Sequence, residues 1–304
     1  MKKKKILITG GTGFIGYYLA KKCLSKKWVV VSFSKNIPKK VRYLKNVQYF
    51  KGNLSIKKDL KVLTQNFDYV VNLGGYVDHK NKSKTINSHY LGCKNLSNFF
   101  INKNIKSFIQ IGSSGEYGKI KSPQKENSIG KPKSFYTRAK FMATNHLLKL
   151  YKKKQFPVTI LRLYQAYGPK QDINRFIPIV VYACINKKTF DCSDGNQFRD
   201  FIHVKDVVAS ILLAIKNSKA RGEILNIGTG KPKKIKNIIN FLVKRLKGGE
   251  PIFGKIKLRS DEMKKIYPDL TKVKWSPKIK FSKGLEETIK YYEKNKNNLS
   301  KIHK

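Results

Sequence analysis

Acidic side chains are scarce in this sequence. Only 18 of 304 residues are Asp or Glu, against 66 Lys or Arg, and the formal net charge is +48. This balance is typical of nucleic-acid-binding proteins. Only eight basic residues are Arg, however, which is the side chain best suited to reading bases and phosphates, and the lysines are spread along the whole chain. We therefore interpret the charge as compositional and expect no dedicated nucleic-acid partner.

Paired cysteines and long apolar runs are also missing. The four cysteines (Cys23, Cys93, Cys184 and Cys192) form no Cys-x-x-Cys pair, so neither a metal site nor a disulfide framework is indicated. No apolar run reaches the roughly 18 residues of a membrane span, and the apolar stretch after the basic N-terminus is too short for a signal peptide. These absences predict a cytoplasmic protein with no membrane partner.

Short apolar segments alternate with longer helical patterns through the first half of the chain. Strands are predicted at Ile6–Thr9, Trp28–Phe33, Val47–Phe50, Tyr69–Leu73, Phe108–Gly112 and Val158–Leu163. Helices are predicted at Phe14–Lys26, Lys57–Gln65, Asn87–Asn102 and Ser134–Lys152. This alternation predicts an α/β fold with a doubly wound parallel sheet. The second half is less regular, with helices predicted near Ile177–Asn186, Val204–Lys216, Ile235–Leu246 and Gly284–Asn295 and a strand at Ile224–Ile227.

A glycine-rich turn joins the first predicted strand to the first helix. It reads Gly10-Gly11-Thr12-Gly13-Phe14-Ile15-Gly16. Gly10 permits a tight turn, Gly13 lets the backbone approach a pyrophosphate, and Gly16 lets the helix pack closely on the sheet. The anion would lie at the positive end of the helix. The strand-before, helix-after context predicts a dinucleotide site that includes Thr12, Phe14 and Ile15.

The end of the second strand carries no acidic residue. An acid at this point usually binds the adenosine ribose, but the chain reads Ser32-Phe33-Ser34-Lys35. A hydroxyl beside a cation suits a 2′-phosphate, so Ser34 and Lys35 favour NADP, with NAD as the alternative.

Further segments, taken in order, resemble the extended short-chain dehydrogenase/reductase family, in particular its nucleotide-sugar epimerases, dehydratases and 4-ketoreductases. The matching segments are Asn53-Leu54, Leu73-Gly74-Gly75, Asn87, Gly112–Gly118, Tyr136-x-x-x-Lys140, Leu161–Pro169, Arg199–Asp206 and Asn226–Gly230. The resemblance implies that Asn53, Leu54, Leu73, Gly74, Gly75 and Asn87 contact the cofactor. Asn53 stands where the family has an acid. It also implies a Rossmann-type domain over residues 1–168, to which 200–228 return, and a smaller interleaved α/β substrate domain over 169–199 and 229–304.

Tyr136 and Lys140 are four residues apart and share one helix face. A neighbouring ammonium group stabilises a phenolate, so Tyr136 would exchange a proton with a sugar oxygen. The resemblance implies that Lys140 also binds the nicotinamide ribose and that Ser113 holds the reacting oxygen, a role of electrostatic stabilisation. The alternatives are a solvated Tyr and Lys, and serines that cap a loop.

Substrate contacts are expected from a second group of residues. Arg199 lies in the segment that the resemblance assigns to a diphosphate, and Arg175 and Arg259 are further candidates because the guanidinium fork suits phosphate oxygens. Surface salt bridges are the alternative for Arg175 and Arg259. Ser114 and Gln165 complete the expected set; Gln165 stands where the family has Asn. Asp78 and His79 either line the sugar pocket or belong to a polar loop.

The resemblance favours reduction over dehydration. Family 4,6-dehydratases carry an Asp-Glu pair where this chain has Ser114 and Gly115. We therefore expect an NAD(P)-dependent enzyme that reduces an NDP-4-keto-6-deoxyhexose at C4. Alternatives are an NDP-sugar 4-epimerase with tightly bound NAD, or a catalytically silent member that binds polyanions. The resemblance further implies a homodimer paired through the helices at Asn87–Asn102 and Ser134–Lys152.

Overall fold

The computed structural model describes residues 3–76, 81–258 and 262–298. The chain divides into two units. The first comprises Met1–Gly118, Ile129–Leu163 and Val207–Asn226, and the second comprises Lys119–Ser128, Tyr164–Asp206 and Ile227–Lys304.

The strands, in chain order, are β1 (Lys5–Thr9), β2 (Val29–Ser34), β3 (Val47–Lys51), β4 (Tyr69–Asn72), β5 (Ser107–Ser113), β6 (Val158–Leu163), β7 (Gln165–Tyr167), β8 (Thr189–Asp191), β9 (Phe198–Arg199), β10 (Phe201–His203), β11 (Ile224–Ile227), β12 (Lys233–Lys234), β13 (Glu250–Ile252) and β14 (Lys265–Ile266). The α-helices are α1 (Phe14–Ser25), α2 (Lys82–Ile86), α3 (Gly92–Phe100), α4 (Phe135–Lys154), α5 (Phe176–Ile185), α6 (Val204–Lys216), α7 (Ile235–Leu246) and α8 (Phe281–Lys294). None of these helices is both long enough and apolar enough to cross a lipid bilayer.

A seven-stranded sheet in the order β11-β6-β5-β4-β1-β2-β3 forms the centre of the first unit. The pairs from β3 through β6 are parallel, so the predicted doubly wound α/β sheet is confirmed. The chain moves from β1 to β2 and β3 on one side and then returns to β4 on the other. The strand order therefore reverses between β1 and β4, the point at which such sheets bind ligands.

The core of the first unit explains why these segments form strands and helices. Buried residues from five strands pack against α3 and α4. This core includes Leu7, Val31, Val70, Phe108 and Ile160 from the strands and Leu96, Phe100, Ala143 and Leu147 from the two helices. The long helix α4 begins after Ser134, whose side chain accepts a hydrogen bond from the Thr137 backbone N–H at 3.2 Å. This N-cap fixes the first turn of α4, on which Tyr136 lies.

Two predicted helices differ from the observed ones. The segment predicted as Lys57–Gln65 is a 3₁₀ helix over Lys57–Val62. The segment predicted as Asn87–Asn102 begins with a π-helical turn, Asn87–Leu91, that joins α2 to α3. A π turn contains an extra residue, so it rotates the face that the following side chains present.

The second unit has its own core, which includes Tyr167, Ile177, Val181, Leu242, Ile289 and Tyr292. Two buried aspartates tie its loops. The Asp200 carboxylate accepts hydrogen bonds from the Thr229 N–H and hydroxyl at 2.8 and 2.9 Å, and the Asp206 carboxylate accepts from the Lys278 and Ile279 N–H groups. Burial raises the pKa of Asp200, and the hydrogen bonds from Thr229 oppose that shift.

Candidate active site

The turn between β1 and α1 has no room for side chains at two of its glycines. Gly10 has φ +68°, and a Cβ there would lie 3.0 Å from the Gly74 nitrogen. A Cβ at Gly16 would lie 2.5 Å from the Gly10 carbonyl oxygen. Helix α1 starts directly after Gly13 and has no acidic residue in its first turn. Bare backbone and an unopposed positive helix end therefore fit a dinucleotide pyrophosphate.

The serines of β2 pack under this turn. A Cβ on Gly11 would lie 2.5 Å from the Ser32 Oγ, and the Thr12 N–H donates to the Ser34 Oγ at 3.5 Å. Lys35, directly after the strand, is exposed. The predicted pair Ser34 and Lys35 thus lies beside the glycine turn, where an adenosine ribose would be read.

Asn53 and Leu54 follow β3 and differ in exposure. The Asn53 Oδ1 accepts from the Ser55 N–H and hydroxyl at 3.1 and 2.9 Å, so its NH₂ group is the part that a ligand would meet. Leu54 is 9 % exposed. Its side chain lies close to Gly74 and Gly92, where an added Cβ would be within 2.9 Å of it.

The structure places His89 against the predicted catalytic tyrosine. Asn87 is exposed and donates from Nδ2 to the Ser83 Oγ at 3.4 Å. His89 is 6 % exposed, and its ring meets the Tyr136 ring edge-to-face at 5.0 Å. A Cβ at Gly75 would lie 2.1 Å from the imidazole, so Gly75 makes room for this ring. Sequence reasoning missed His89 because helical spacing does not reveal a π turn; the cofactor role of Asn87 stays a prediction.

Ser113 ends β5 and caps the 3₁₀ turn Ser114–Tyr117. The Ser113 Oγ accepts from the Gly115 N–H at 3.1 Å, while the Glu116 Oε1 accepts from the Ser113 N–H at 2.7 Å. This is a capping box. The Ser113 hydroxyl uses a lone pair in the cap, so its hydrogen is available for donation to another oxygen. Loop capping and a role in holding a reacting oxygen are therefore compatible.

A buried ion pair holds this turn from below. Glu116 and Arg162 are 0 % and 3 % exposed and meet at 3.1 Å. The Thr144 hydroxyl donates to the Glu116 Oε2 at 2.7 Å, and the Arg162 guanidinium lies 4.4 Å from the Tyr117 ring centre. Burial lowers the pKa of Arg162, but Glu116 and Tyr117 outweigh this effect and raise it. No sequence argument identified Glu116, because its partners come from β6 and α4.

Lys140 is buried beneath Tyr136. Its side chain is 5 % exposed, and Nζ donates to the Ile111 carbonyl oxygen at 2.7 Å. Tyr136 is half-buried on the preceding turn of α4. The Ser113 turn packs against the same turn of helix, because a Cβ on Gly115 would lie 2.5 Å from the Thr137 methyl group. Tyr136 and Lys140 are therefore not a solvated surface pair, and the turn that carries Ser113 and Ser114 adjoins them.

The predicted substrate residues of the second unit occupy two places. Gln165 and Arg175 line one cavity of about 190 Å³, together with Asn174, Phe176 and Phe201. Arg199 is 7 % exposed, forms an ion pair with Glu262 and donates from Nη1 to the Phe198 carbonyl oxygen at 2.7 Å. Phe198 and Glu262 line a different cavity of about 520 Å³. Arg259, Asp78 and His79 lie outside the described residues.

A glycine turn at the β1–β4 reversal, together with a buried lysine one turn after a tyrosine near β5, is the arrangement typical of Rossmann-type dinucleotide-binding proteins. The chain belongs to the NAD-dependent epimerase/dehydratase family, whose model matches residues 6–228. The predicted resemblance is thereby confirmed.

Individual relatives have different activities. A dTDP-D-glucose 4,6-dehydratase from Dictyostelium discoideum is 30% identical over 74% of this chain and 58% of its own length. CDP-abequose synthase from Salmonella muenchen is 23% identical over 95% of this chain and 98% of its own. Among solved structures, a mutant UDP-glucuronic acid 4-epimerase from Bacillus cereus, in complex with a fluorinated UDP-sugar and NAD, has a TM-score of 0.87 and 25% identity over 95% of this chain and 99% of its own.

Proposed function

We propose that this protein is an NAD(P)-dependent oxidoreductase of nucleotide-activated sugars that reduces an NDP-4-keto-6-deoxyhexose at C4. The observation that carries the proposal is the buried Lys140, one turn after Tyr136 and beside the capped Ser113 turn. The relatives named above act on nucleotide sugars, which supports the substrate class. We assign dinucleotide binding to the first unit and sugar-nucleotide contacts at Gln165 and Arg175 to the second.

Each group in the first unit has a distinct task in this reaction. A dinucleotide held at the glycine turn would supply the hydride that reduces the sugar C4. Ser113 donates a hydrogen bond to the C4 oxygen, which stabilises the negative charge that develops there. Tyr136 gives that oxygen its phenolic proton, so that the carbonyl becomes a hydroxyl. Lys140 stabilises the phenolate that remains.

Dehydration is disfavoured by the Ser113 turn itself. Elimination of water needs a positioned acid and base, and the two corresponding places hold Ser114 and Gly115. The contact between Gly115 and the Thr137 methyl shows that the fold has little space for a longer side chain there. This close approach supports reduction over dehydration in the proposal.

A 4-epimerase with retained NAD is the second candidate. It requires the same three side chains, and the Bacillus cereus relative carries NAD. Ser34 and Lys35, beside the glycine turn, favour NADP instead and thus a reductase that exchanges its cofactor. The two candidates differ in stoichiometry, since a reductase consumes one reduced cofactor per sugar and an epimerase consumes none.

The deciding experiment follows NADPH and NADH oxidation by the purified protein against a panel of NDP-4-keto-6-deoxyhexoses, with Tyr136→Phe as the matched control. We expect stoichiometric oxidation of NADPH by the wild type and loss of at least about 100-fold in kcat for the variant. Inversion at C4 of nucleotide hexoses that carry a C4 hydroxyl, assayed in parallel and without net cofactor oxidation, would establish the epimerase. A Tyr136→Phe variant with unchanged turnover, or no turnover together with tight polyanion binding, would indicate the catalytically silent alternative.

A further inference from the structure

Three polar side chains lie next to one another inside the sheet, below Lys140. Thr9 on β1, Asn72 on β4 and Gln110 on β5 are paired in register across adjacent strands, and each is at most 2 % exposed. The Thr9 hydroxyl donates to the Asn72 Oδ1 at 2.6 Å, and the Asn72 Nδ2 donates to the Gln110 Oε1 at 2.7 Å. We call Thr9, Asn72 and Gln110 the amide ladder.

The amide ladder ends on the carbonyl group that anchors Lys140. The Gln110 Nε2 donates to the Ile111 oxygen at 3.1 Å, and the Lys140 Nζ donates to the same oxygen at 2.7 Å. Among the described residues, no carboxylate oxygen lies within 4 Å of this ammonium group. A carbonyl and an ordered amide thus take the place of a counter-ion.

The orientation of each amide follows from its donors. The Asn72 Oδ1 also accepts from the Gly74 N–H at 3.2 Å, and the Gln110 Oε1 also accepts from the Cys93 thiol at 3.3 Å. Burial raises the pKa of Cys93 to about 12, so the sulfur keeps its proton and remains a donor. Because donors occupy both amide oxygens, the Gln110 NH₂ group faces the Ile111 oxygen.

We propose that Gln110, oriented by Asn72 and Cys93, is a positioning residue that holds Lys140 in place through the shared Ile111 oxygen. A lysine stem is flexible, and the bond to Ile111 leaves two N–H donors for other partners. Loss of Gln110 would leave the Asn72 amide buried without its acceptor and would remove one of the two side-chain donors to the Ile111 oxygen. The inference rests on the proposed function, in which Lys140 stabilises the Tyr136 phenolate, and on the family resemblance, which implies that Lys140 also binds the nicotinamide ribose.

Gln110→Met is the test variant, because it keeps the length and volume of the side chain but removes both polar atoms. Thr159→Val is the matched control, since Thr159 is fully buried on the neighbouring strand and its hydroxyl donates to the Ala220 carbonyl oxygen at 2.8 Å. Both variants lose buried side-chain hydrogen bonds, three in Gln110→Met and one in Thr159→Val, but only Gln110 contacts the carbonyl group that anchors Lys140. Unfolding in denaturant establishes that both are folded at the assay temperature.

We expect kcat of Gln110→Met to fall between about 10- and 100-fold with little change in the KM for the sugar nucleotide. The pH above which reduction slows should rise, because a displaced ammonium stabilises the phenolate less. Dinucleotide affinity, measured by quenching of intrinsic fluorescence, should weaken several-fold. Thr159→Val should keep the wild-type kcat, pH profile and dinucleotide affinity. If Thr159→Val changes these three quantities as Gln110→Met does, the proposal is overturned.

A pair of variants at Cys93 tests the same point without removing Gln110. Cys93→Ser retains a donor to the Gln110 Oε1 and should keep the wild-type pH profile, whereas Cys93→Ala should shift it in the same direction as Gln110→Met, to a smaller extent. Equal behaviour of the two Cys93 variants contradicts the orientation argument.

Failure of the proposed function would give different assay results from failure of the positioning role. If the wild type turns over no nucleotide sugar, or Tyr136→Phe is fully active, the oxidoreductase assignment falls. Dinucleotide affinity then decides the positioning role by itself, because unchanged binding in Gln110→Met shows that the amide ladder does not place Lys140.

Discussion

At the scale of single residues, close contacts decide which side chains the site accepts. The Ser113 turn is fixed twice, by its contact with α4 at Gly115 and by the carboxylate of Glu116 beneath it. Neither residue needs to touch a ligand to affect the reaction, because each determines where the Ser113 hydroxyl lies. Both contacts can be tested separately.

Gly115→Ala should reduce activity through one contact. The new methyl group would lie 2.5 Å from the Thr137 Cγ2 and push the Ser113 turn away from α4. Thr137→Ser removes that methyl but keeps the hydroxyl that donates to the Ser134 carbonyl oxygen at 3.1 Å. We therefore expect kcat to fall by about tenfold or more in Gly115→Ala and to recover in the double variant. Failure of Thr137→Ser to restore activity would contradict the steric explanation.

Glu116→Gln should destabilise the first unit strongly. It keeps the side-chain shape but leaves the buried Arg162 guanidinium without its carboxylate, which typically costs about 3–5 kcal/mol. The measurement is the free energy of unfolding in urea. Lys106→Gln is the control, because Lys106 pairs with Asp68 at 2.9 Å on the surface, and exposed pairs contribute little. Comparable losses in the two variants would mean that Arg162 finds another partner.

At the scale of secondary-structure elements, the sequence predicted the strands of the first half of the chain better than the helices of that half. All six strands predicted in the first half are present within about two residues at each end, because buried parallel strands are short continuous apolar runs. The π turn Asn87–Leu91 could not be anticipated, since its extra residue leaves no mark on the spacing of apolar residues. This is why His89 was not expected beside Tyr136.

The same limit applies to the candidate site. The glycine turn and the Tyr136–Lys140 pair are local in sequence, so their spacing identifies them. Glu116 and Arg162 are 46 residues apart, and the amide ladder joins three strands. Such contacts depend on strand register, which no local pattern specifies.

A buried histidine should make the stability of the folded protein sensitive to acid. His203 is 1 % exposed and stacks edge-to-face with Tyr167 at 5.4 Å, and Glu287 of α8 lies 3.8 Å from its Nε2. Burial lowers its pKa to about 4, while Glu287 and Asp206 act in the opposite direction and Lys205 in the same one. The imidazole is therefore neutral in the folded protein at neutral pH.

The sign of the pH effect follows from linkage. Between pH 6.5 and about 4 the unfolded chain binds a proton at His203 that the folded chain does not bind, so stability falls as the pH falls through that range. His203→Gln should flatten this part of the stability curve, measured as the unfolding midpoint at successive pH values. A variant curve parallel to the wild type would show that other groups cause the acid sensitivity.

At the scale of the whole molecule, the excess of 48 positive charges acts on every part of the chain. Both units expose many lysines, and like charges at this density repel one another and destabilise the compact state. Because the charge is spread over the sequence, it is no evidence for a specific partner. Its physical consequence is repulsion between lysines, which added salt would screen.

Added salt should therefore raise the thermal midpoint of the protein. At about 0.1 M ionic strength the Debye length is near 10 Å, which screens repulsion between exposed lysines but leaves buried pairs such as Glu116–Arg162 little affected. We expect the midpoint to rise from low salt to about 0.3 M sodium chloride and then to level off, because most repulsion is screened by that concentration. Sucrose solutions of matched osmolality serve as the control for non-ionic effects. A midpoint that falls as chloride is added would mean that attractive surface pairs outweigh the repulsion, and the excess charge would then have to be arranged in favourable pairs and not scattered.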